Sequence, residues 1–417
     1  MHKPLRVALA ATVVIAVAGC GGGGNAWTGT ITDSAGVTVV QNPDQGTWSP
    51  SAAWRLEEEL RIGETEGSPE YQFGQVGTIG VGSDGSMYVI DVQAQQVRVF
   101  SPDGEFLRSF GRPGAGPGEI GAGAAFVLVG AGDTVLVPDL ANRRINRYAA
   151  DGTPLGSVPI EIEKGLPMAF RATPSGQILV QIRSLSLPDR PAPDTLDRIV
   201  RLTAAGDVAD TLLEFPSGGT LNLGGGTPEI NLYAPEPAWD VTDDLHIVYG
   251  VNDVYRIGVY GADGELQREI TKPFQRQPVS ENDREAIMNA LTRAWTDAGV
   301  PPAMLPQLRS FVHFGEFIPA FASLQVGPRG TLWVQHLQTA AGMTPEELEQ
   351  FNPQNDLGAP DWDVFDAEGR YLGVVSMPPR FQPRLFKGDR IYGVWLNDLD
   401  VQFVTRLKVV GIPGAEG

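Results

Sequence analysis

Along most of the chain, apolar and polar residues alternate with a period of two over runs of five or six residues. Each run ends in a cluster of Gly, Pro, Asp or Asn. The pattern is clearest at residues 77–111, GTIGVGSDGSMYVIDVQAQQVRVFSPDGEFLRSFG. Runs at 76–81, 86–90, 97–100 and 105–110 read as strands. Between them lie Ser83, Asp84 and Gly85, the polar run 91–96, and Pro102, Asp103 and Gly104. Asp-Gly between apolar runs is a strong hairpin signal, so the stretch predicts a four-stranded antiparallel meander. One such sheet buries too little to stand alone and needs neighbours like itself.

The chain supplies them. Comparable units lie at about 71–111, 124–160, 168–215, 237–274, 317–378 and 381–410. Their tight turns fall at Gly132 and Asp133, at 174–176 and 205–207, at Asp243 and Asp244, at Asp263 and Gly264, at 328–330, at Glu368 and Gly369, and at Gly388 and Asp389. The last unit is one strand short. The N-terminal run 54–62 has no hairpin partner nearby and supplies the missing strand. There Trp54, Leu56, Leu60 and Ile62 alternate with Arg55, Glu57, Glu59 and Arg61, and Glu58 is the one break. Pairing the two ends closes a ring and removes the open sheet edge. The expectation is an all-β, six-bladed β-propeller of four-stranded antiparallel blades over 36–417. A second run, 36–40, is a strand candidate without a local partner.

The connections between strands are uneven. Turns after the first and third strands of each unit stay tight. The others reach 183–197, 216–236, 275–316 and 336–361, and in a meander these emerge on one face of the disc. Long loops on a rigid scaffold are where binding usually lives. Two carry short helices. Ser280 with Asp283 caps a stripe of Ile287, Met288, Leu291 and Trp295. Thr344, Pro345 and Glu347 form a capping box ahead of Leu348 and Phe351. Both stripes are expected to pack on the disc; the alternative is a lid or a docking element.

The first nineteen residues break the pattern. Lys3 and Arg6 precede an apolar run of 7–17 that is too short to span a bilayer. It ends at Val17, Ala18, Gly19 and Cys20, which resembles a bacterial lipoprotein signal, with Cys20 the lipidated first mature residue. Residues 20–35 are expected to be the lipidated cysteine and a flexible tether, starting with four glycines. Cys20 is the only cysteine, so no intramolecular disulfide can form. Gly21 is not the aspartate that retains enterobacterial lipoproteins in the inner membrane. The resemblance therefore implies the outer membrane, facing the periplasm or the surface. With 31 Lys and Arg against 50 Asp and Glu the net charge is −19, and loss of Lys3 and Arg6 makes it −21. That acidity argues against nucleic acid and against adsorption on anionic lipid, so the membrane is reached through the acyl chains.

Tyr88, Val89, Ile90 and Asp91, followed by VRVFSPDGEFLRSFG at 97–111 and RPGAGPGE at 112–119, resemble an NHL repeat. The second unit keeps VPDLANRRI at 137–145. The likeness is close over 71–152 and loose beyond. It implies a six-bladed propeller of the kind found in bacterial NHL-like lipoproteins, a group without a settled activity.

Candidate binding residues follow. Asp91 and Asp139 occupy the same position at the bend after the second strand. They are expected to hold that bend through backbone N–H groups; a carboxylate ring for a metal is the sharper alternative. Arg143 belongs to a small basic cluster with Arg144 and Arg147. His313, Glu316 and His336 sit in the long loops and are of types that could ligate zinc. His246 is expected to be a satisfied sheet residue. Phe311, Phe314, Phe317, Phe351 and Trp362 could line a ligand site. No G-x-S-x-G elbow, H-E-x-x-H motif or P-loop occurs. The expectation is a scaffold that binds a protein or small-molecule ligand, with no cofactor. A metal-dependent hydrolase or lyase of the gluconolactonase-like propeller type, with a divalent metal on the axis, is the alternative.

Overall fold

The computed structural model describes residues 25–412, apart from 174–176, 187–191, 193, 204–206, 218–220, 223–228, 352 and 354–356. The leader, Cys20 and the expected turns at 174–176 and 205–206 lie outside the described residues. The chain begins with β1 (Thr30–Ser34), β2 (Val37–Gln41) and β3 (Arg55–Ile62). Blade one is β4 (Val76–Val81), β5 (Met87–Asp91), β6 (Gln96–Phe100) and β7 (Phe106–Phe110). Blade two is β8 (Leu128–Val129), β9 (Val135–Asp139), β10 (Arg144–Tyr148) and β11 (Pro154–Pro159). Blade three is β12 (Leu166–Ala172), β13 (Ile178–Arg183), then, past the short outlying β14 (Leu185–Ser186), β15 (Leu196–Leu202) and β16 (Val208–Pro216).

Two short strands, β17 (Leu221–Asn222) and β18 (Ile230–Leu232), precede blade four. Blade four is β19 (Pro237–Val241), β20 (Ile247–Val251), β21 (Arg256–Tyr260) and β22 (Leu266–Thr271). An insertion follows with α1 (Glu281–Asp297), α2 (Leu305–Ser310) and β23 (Val312–Phe314). Blade five is β24 (Ser323–Val326) and β25 (Leu332–Leu337), then, after α3 (Pro345–Gln350), β26 (Gly358–Phe365) and β27 (Tyr371–Ser376). Blade six is β28 (Phe381–Lys387), β29 (Arg390–Leu396), β30 (Gln402–Val410) and, from the other end of the chain, β3.

The six four-stranded antiparallel blades form a propeller ring, with the first strand of each nearest the axis. The core lies between blades rather than within them. Tyr88, Ile90, Val97 and Val99 of blade one pack on Val135, Val137 and Tyr148 of blade two. Ile62, Tyr392 and Val394 of blade six pack on Ile79, Met87 and Phe100 of blade one. This is why an isolated unit cannot bury its apolar face. The hairpin signals work as their chemistry requires: Gly104 takes φ +89°, which its lack of a Cβ permits, and Ser101 and Glu105 close the turn.

Strand β3 lies antiparallel to β30, from Arg55 opposite Val410 to Ile62 opposite Val404. Its register shifts between Glu58 and Leu60. That bulge accounts for the break in alternation at Glu58 and turns Glu59 toward Arg390 and Arg406.

The tether expectation differs from the structure. Thr30–Ser34 lies inside the stretch read as flexible, yet it forms a hairpin with β2. The hairpin turns at Ala35 and Gly36, both with positive φ. Strand β2 then runs parallel to β22 and extends blade four to a six-stranded sheet. From there the chain crosses blade five to reach blade six. Asn42 accepts from Tyr371 N (2.7 Å) and donates to Gly369 O (2.9 Å), and Trp48 N donates to Leu372 O (2.8 Å). The Trp48 ring lies against Gly373, where a Cβ would come within 2.7 Å of it. The N-terminal segment is thus a strap over three blades.

Candidate functional site

Three long insertions meet on one face and pack on each other. Ile287, Leu291 and Trp295 of α1 join Leu232, Tyr233 and Phe351 in a core separate from the blades. Strand β18 pairs in parallel with β23, joining the connection into blade four to the connection into blade five. Both capping boxes form, Ser280 with Asp283 and Thr344 with Glu347. The helix stripes therefore face inward, as packing elements.

Under the edge of this cap is a cleft of about 290 Å3, lined by Phe274, Gln275, Gln277, Ile318, His336 and Thr339, among others. Its wall is held by backbone pairing: Ile318 N donates to Gln277 O (2.8 Å) and Val279 N to Glu316 O (3.0 Å).

His336 is fixed by a buried carboxylate. Asp363, on β26 and 1% exposed, lies 3.0 Å from His336 Nε2. The same carboxylate accepts from Tyr255 Oη (2.7 Å), Tyr371 Oη (2.7 Å) and Lys272 Nζ (2.8 and 2.9 Å). Burial alone would raise its pKa. The His336 bond and the Lys272 charge outweigh burial and hold the carboxyl well below the usual range. Burial and the adjacent carboxylate push both phenols well up, so they remain donors. The His336 side chain is 38% exposed and lines the cleft.

The other candidates disperse. Asp91 is buried and accepts from Gly74, Gln75 and Ala94 N–H, with Arg98 at 3.2 Å. Asp139 accepts from Gly121 and Asn142 N–H and from the Asn142 and Asn146 amides. Both tie the bend of their blade to the passage that precedes it. Arg143 is exposed, with φ +50°, and its nearest acid is Glu163 at 3.7 Å. His313 and Glu316 are exposed on and after β23. The zinc grouping fails because His336 turns instead to Asp363. Among the described residues no three His, Cys, Asp or Glu side chains gather to hold a metal. Trp362 is buried in the core between blades five and six. Phe314 and Phe351 belong to the cap core, and Phe317 carries the Arg276 guanidinium 4.1 Å over its ring. His246 lies just before β20 and is satisfied by Asp244 and Gln267.

Sequence reading missed Asp363, Lys272, Tyr255 and Tyr371. They come from four places in two blades and no local motif joins them. The available signal was Asp363 itself, an acid among the apolar residues of Trp362, Val364 and Phe365 in mid-strand.

The family DUF5128, described as a six-bladed β-propeller, matches residues 64–169, about a quarter of the chain. No curated protein matches the sequence. Among solved structures, a Bacteroides fragilis protein described as exported is similar at 13% identity, covering 89% of this chain and 99% of its own, with a TM-score of 0.50. A DUF4221 member from Bacteroides vulgatus is similar at 11% identity, covering 85% and 98%, with a TM-score of 0.51. A gluconolactonase from Xanthomonas campestris covers 86% and 100% at 11% identity, with a TM-score of 0.40. At these identities the first two likenesses speak to the fold alone, and they agree with the ring read from the strand pairing. Among the described residues no helix is long and apolar enough to cross a membrane.

Proposed function

We propose that this chain is an extracytoplasmic, lipid-anchored propeller of the NHL-repeat type that binds a protein or small-molecule ligand on its insertion-bearing face without transforming it. The observation that carries the reading is the cleft beside the cap, which His336 lines while Asp363 holds its Nε2. Gln275 and Gln277 add amide donors and acceptors, and Phe274 and Ile318 supply apolar walls. At about 290 Å3 the cleft is small for a drug-sized ligand and suits a compact ligand or a projecting side chain of a partner. The lipobox-like Cys20 and the acidity of the chain support attachment through lipid alone.

Photo-crosslinking in the native host tests the binding reading. A benzoylphenylalanine at Gln275 or His313 should give discrete adducts, and one at Leu107 should not. Adducts of equal yield from all three positions, or from Leu107 alone, contradict it. The anchor is tested separately: Cys20→Ser should leave the membrane fraction, and its retention there would refute lipid attachment.

The Asp363–His336 pair also has the form of an oriented general base. On that second reading the cleft processes its ligand, and a turnover lost in His336→Gln but kept in His313→Gln would favour it.

A further inference from the structure

Arg384 interrupts the innermost strand of blade six. Pro383 pairs with Gly393 and Leu385 with Tyr392, so Arg384 is the extra residue of a β-bulge. Bulges re-aim side chains. Here Arg384 lines an axial cavity of about 1250 Å3, walled by the first strands of all six blades. Ser83, Asp243, Arg329 and Gly388, from the tight turns, also line it, so it opens on the face opposite the insertions.

Among the described residues the Arg384 guanidinium bonds Gln382 Oε1 at 2.9 Å, and no carboxylate lies within ion-pairing distance. The other cations in the cavity are engaged. Arg171 pairs with Asp240 at 3.0 Å, and Lys387 Nζ donates to Val81 O at 2.6 Å. The Arg384 side chain is exposed to the cavity, and the surrounding strands push its pKa down with no acid to offset them. Part of the cavity lining is apolar, with Ile79, Val81, Phe126, Phe170, Val326 and Phe386, beside polar groups such as Thr78, Asp366 and Asp389. An exposed guanidinium without a counter-charge is available to an anion entering the cavity.

We propose that the axial cavity binds a small organic acid with an apolar body, its carboxylate taken by Arg384. The planar guanidinium presents paired donors that match a carboxylate, and the aromatic walls accept the remainder. Asp243 and Asp244 at the rim, with the net charge of −19, oppose multiply charged anions such as phosphates. The site is independent of the insertion-face cleft.

Titration calorimetry on the mature chain carrying Cys20→Ser tests it. The probes are benzoate, 3-phenylpropionate and decanoate, each against its matched alcohol, with inorganic phosphate as competitor. At least one acid should bind about tenfold or more tightly than its alcohol. Arg384→Gln should erase that preference, Arg384→Lys should keep part of it, and phosphate should not displace the acid. The proposal is overturned if no acid outbinds its alcohol, if the preference survives Arg384→Gln, or if phosphate displaces it. Should Arg384→Gln not fold, a crystal structure of the wild-type chain with the acid decides. A carboxylate bonded to Arg384 supports the site, and any other position overturns it.

Discussion

Asp363 ties blade four to blade five at a single carboxylate. Lys272 and Tyr255 reach it from one blade, and Tyr371 and His336 from the other. Removing its charge leaves the Lys272 ammonium buried without a partner. Asp363→Asn should therefore cost about 3–5 kcal/mol in a urea melt at pH 7. The pH dependence follows from the lowered pKa. The unfolded carboxyl titrates near its ordinary value and the folded one below it, so the stabilisation is complete above about pH 5 and declines as pH falls below about 4. The margin of wild type over Asp363→Asn should shrink from pH 5 toward pH 3. A margin that grows on acidification over that range would contradict the assignment. At this scale the sequence was informative only where a residue repeats. Asp91 and Asp139 recur at one blade position and could be read as bend-holders. Asp363 has no counterpart among them, because its partners are assembled across a blade seam by tertiary structure.

The closing strand and the strap act at the scale of elements. Deleting residues 21–26 removes little that is bonded, and the melting temperature should hardly move. Deleting 21–62 removes β3, exposes the edge of β30 and uncovers Ile62 and Trp54 contacts in two interblade cores. That variant should melt far lower or aggregate. If both truncations melt like the mature chain, β3 does not hold the ring closed. The cap is a second unit with its own core. Leu291→Ala, at a fully buried position, should cost about 2–5 kcal/mol locally. Hydrogen exchange should rise in α1 and β23 and stay unchanged in β5 and β6. Strand β3 was legible because eight residues alternate beside a blade that lacked one. The β1–β2 hairpin was not, because its turn puts Ala35, rather than Asn or Asp, at positive φ and the partner of β2 is blade four, more than two hundred residues away in the chain.

At the scale of the molecule, nearly all the tyrosines are interior. Of nine, eight have pKa values raised mainly by burial, with Tyr148 pushed up to about 12. Unfolded tyrosines ionise near pH 10, so stability is intact below that and falls as pH rises above it. Phenolate absorbance should rise in one cooperative step together with loss of the fold. A smooth titration of most of the nine near pH 10 would mean the interblade cores are wet. The ring itself was readable from turn spacing, since hairpin chemistry is local and repeats. The ligand was not, because binding groups on a propeller lie on loops whose packing no period describes.

On the proposed function, partners meet the insertion-bearing face. Hydroxyl-radical footprinting of the anchored chain in intact envelopes, against the purified mature chain, reads every surface at once. Binding there predicts protection at Phe274, Gln275, His313, Ile318 and His336, with the tight-turn hairpins around Asp84 and Asp103 unchanged. Protection confined to those hairpins, or identical footprints in both preparations, would contradict it.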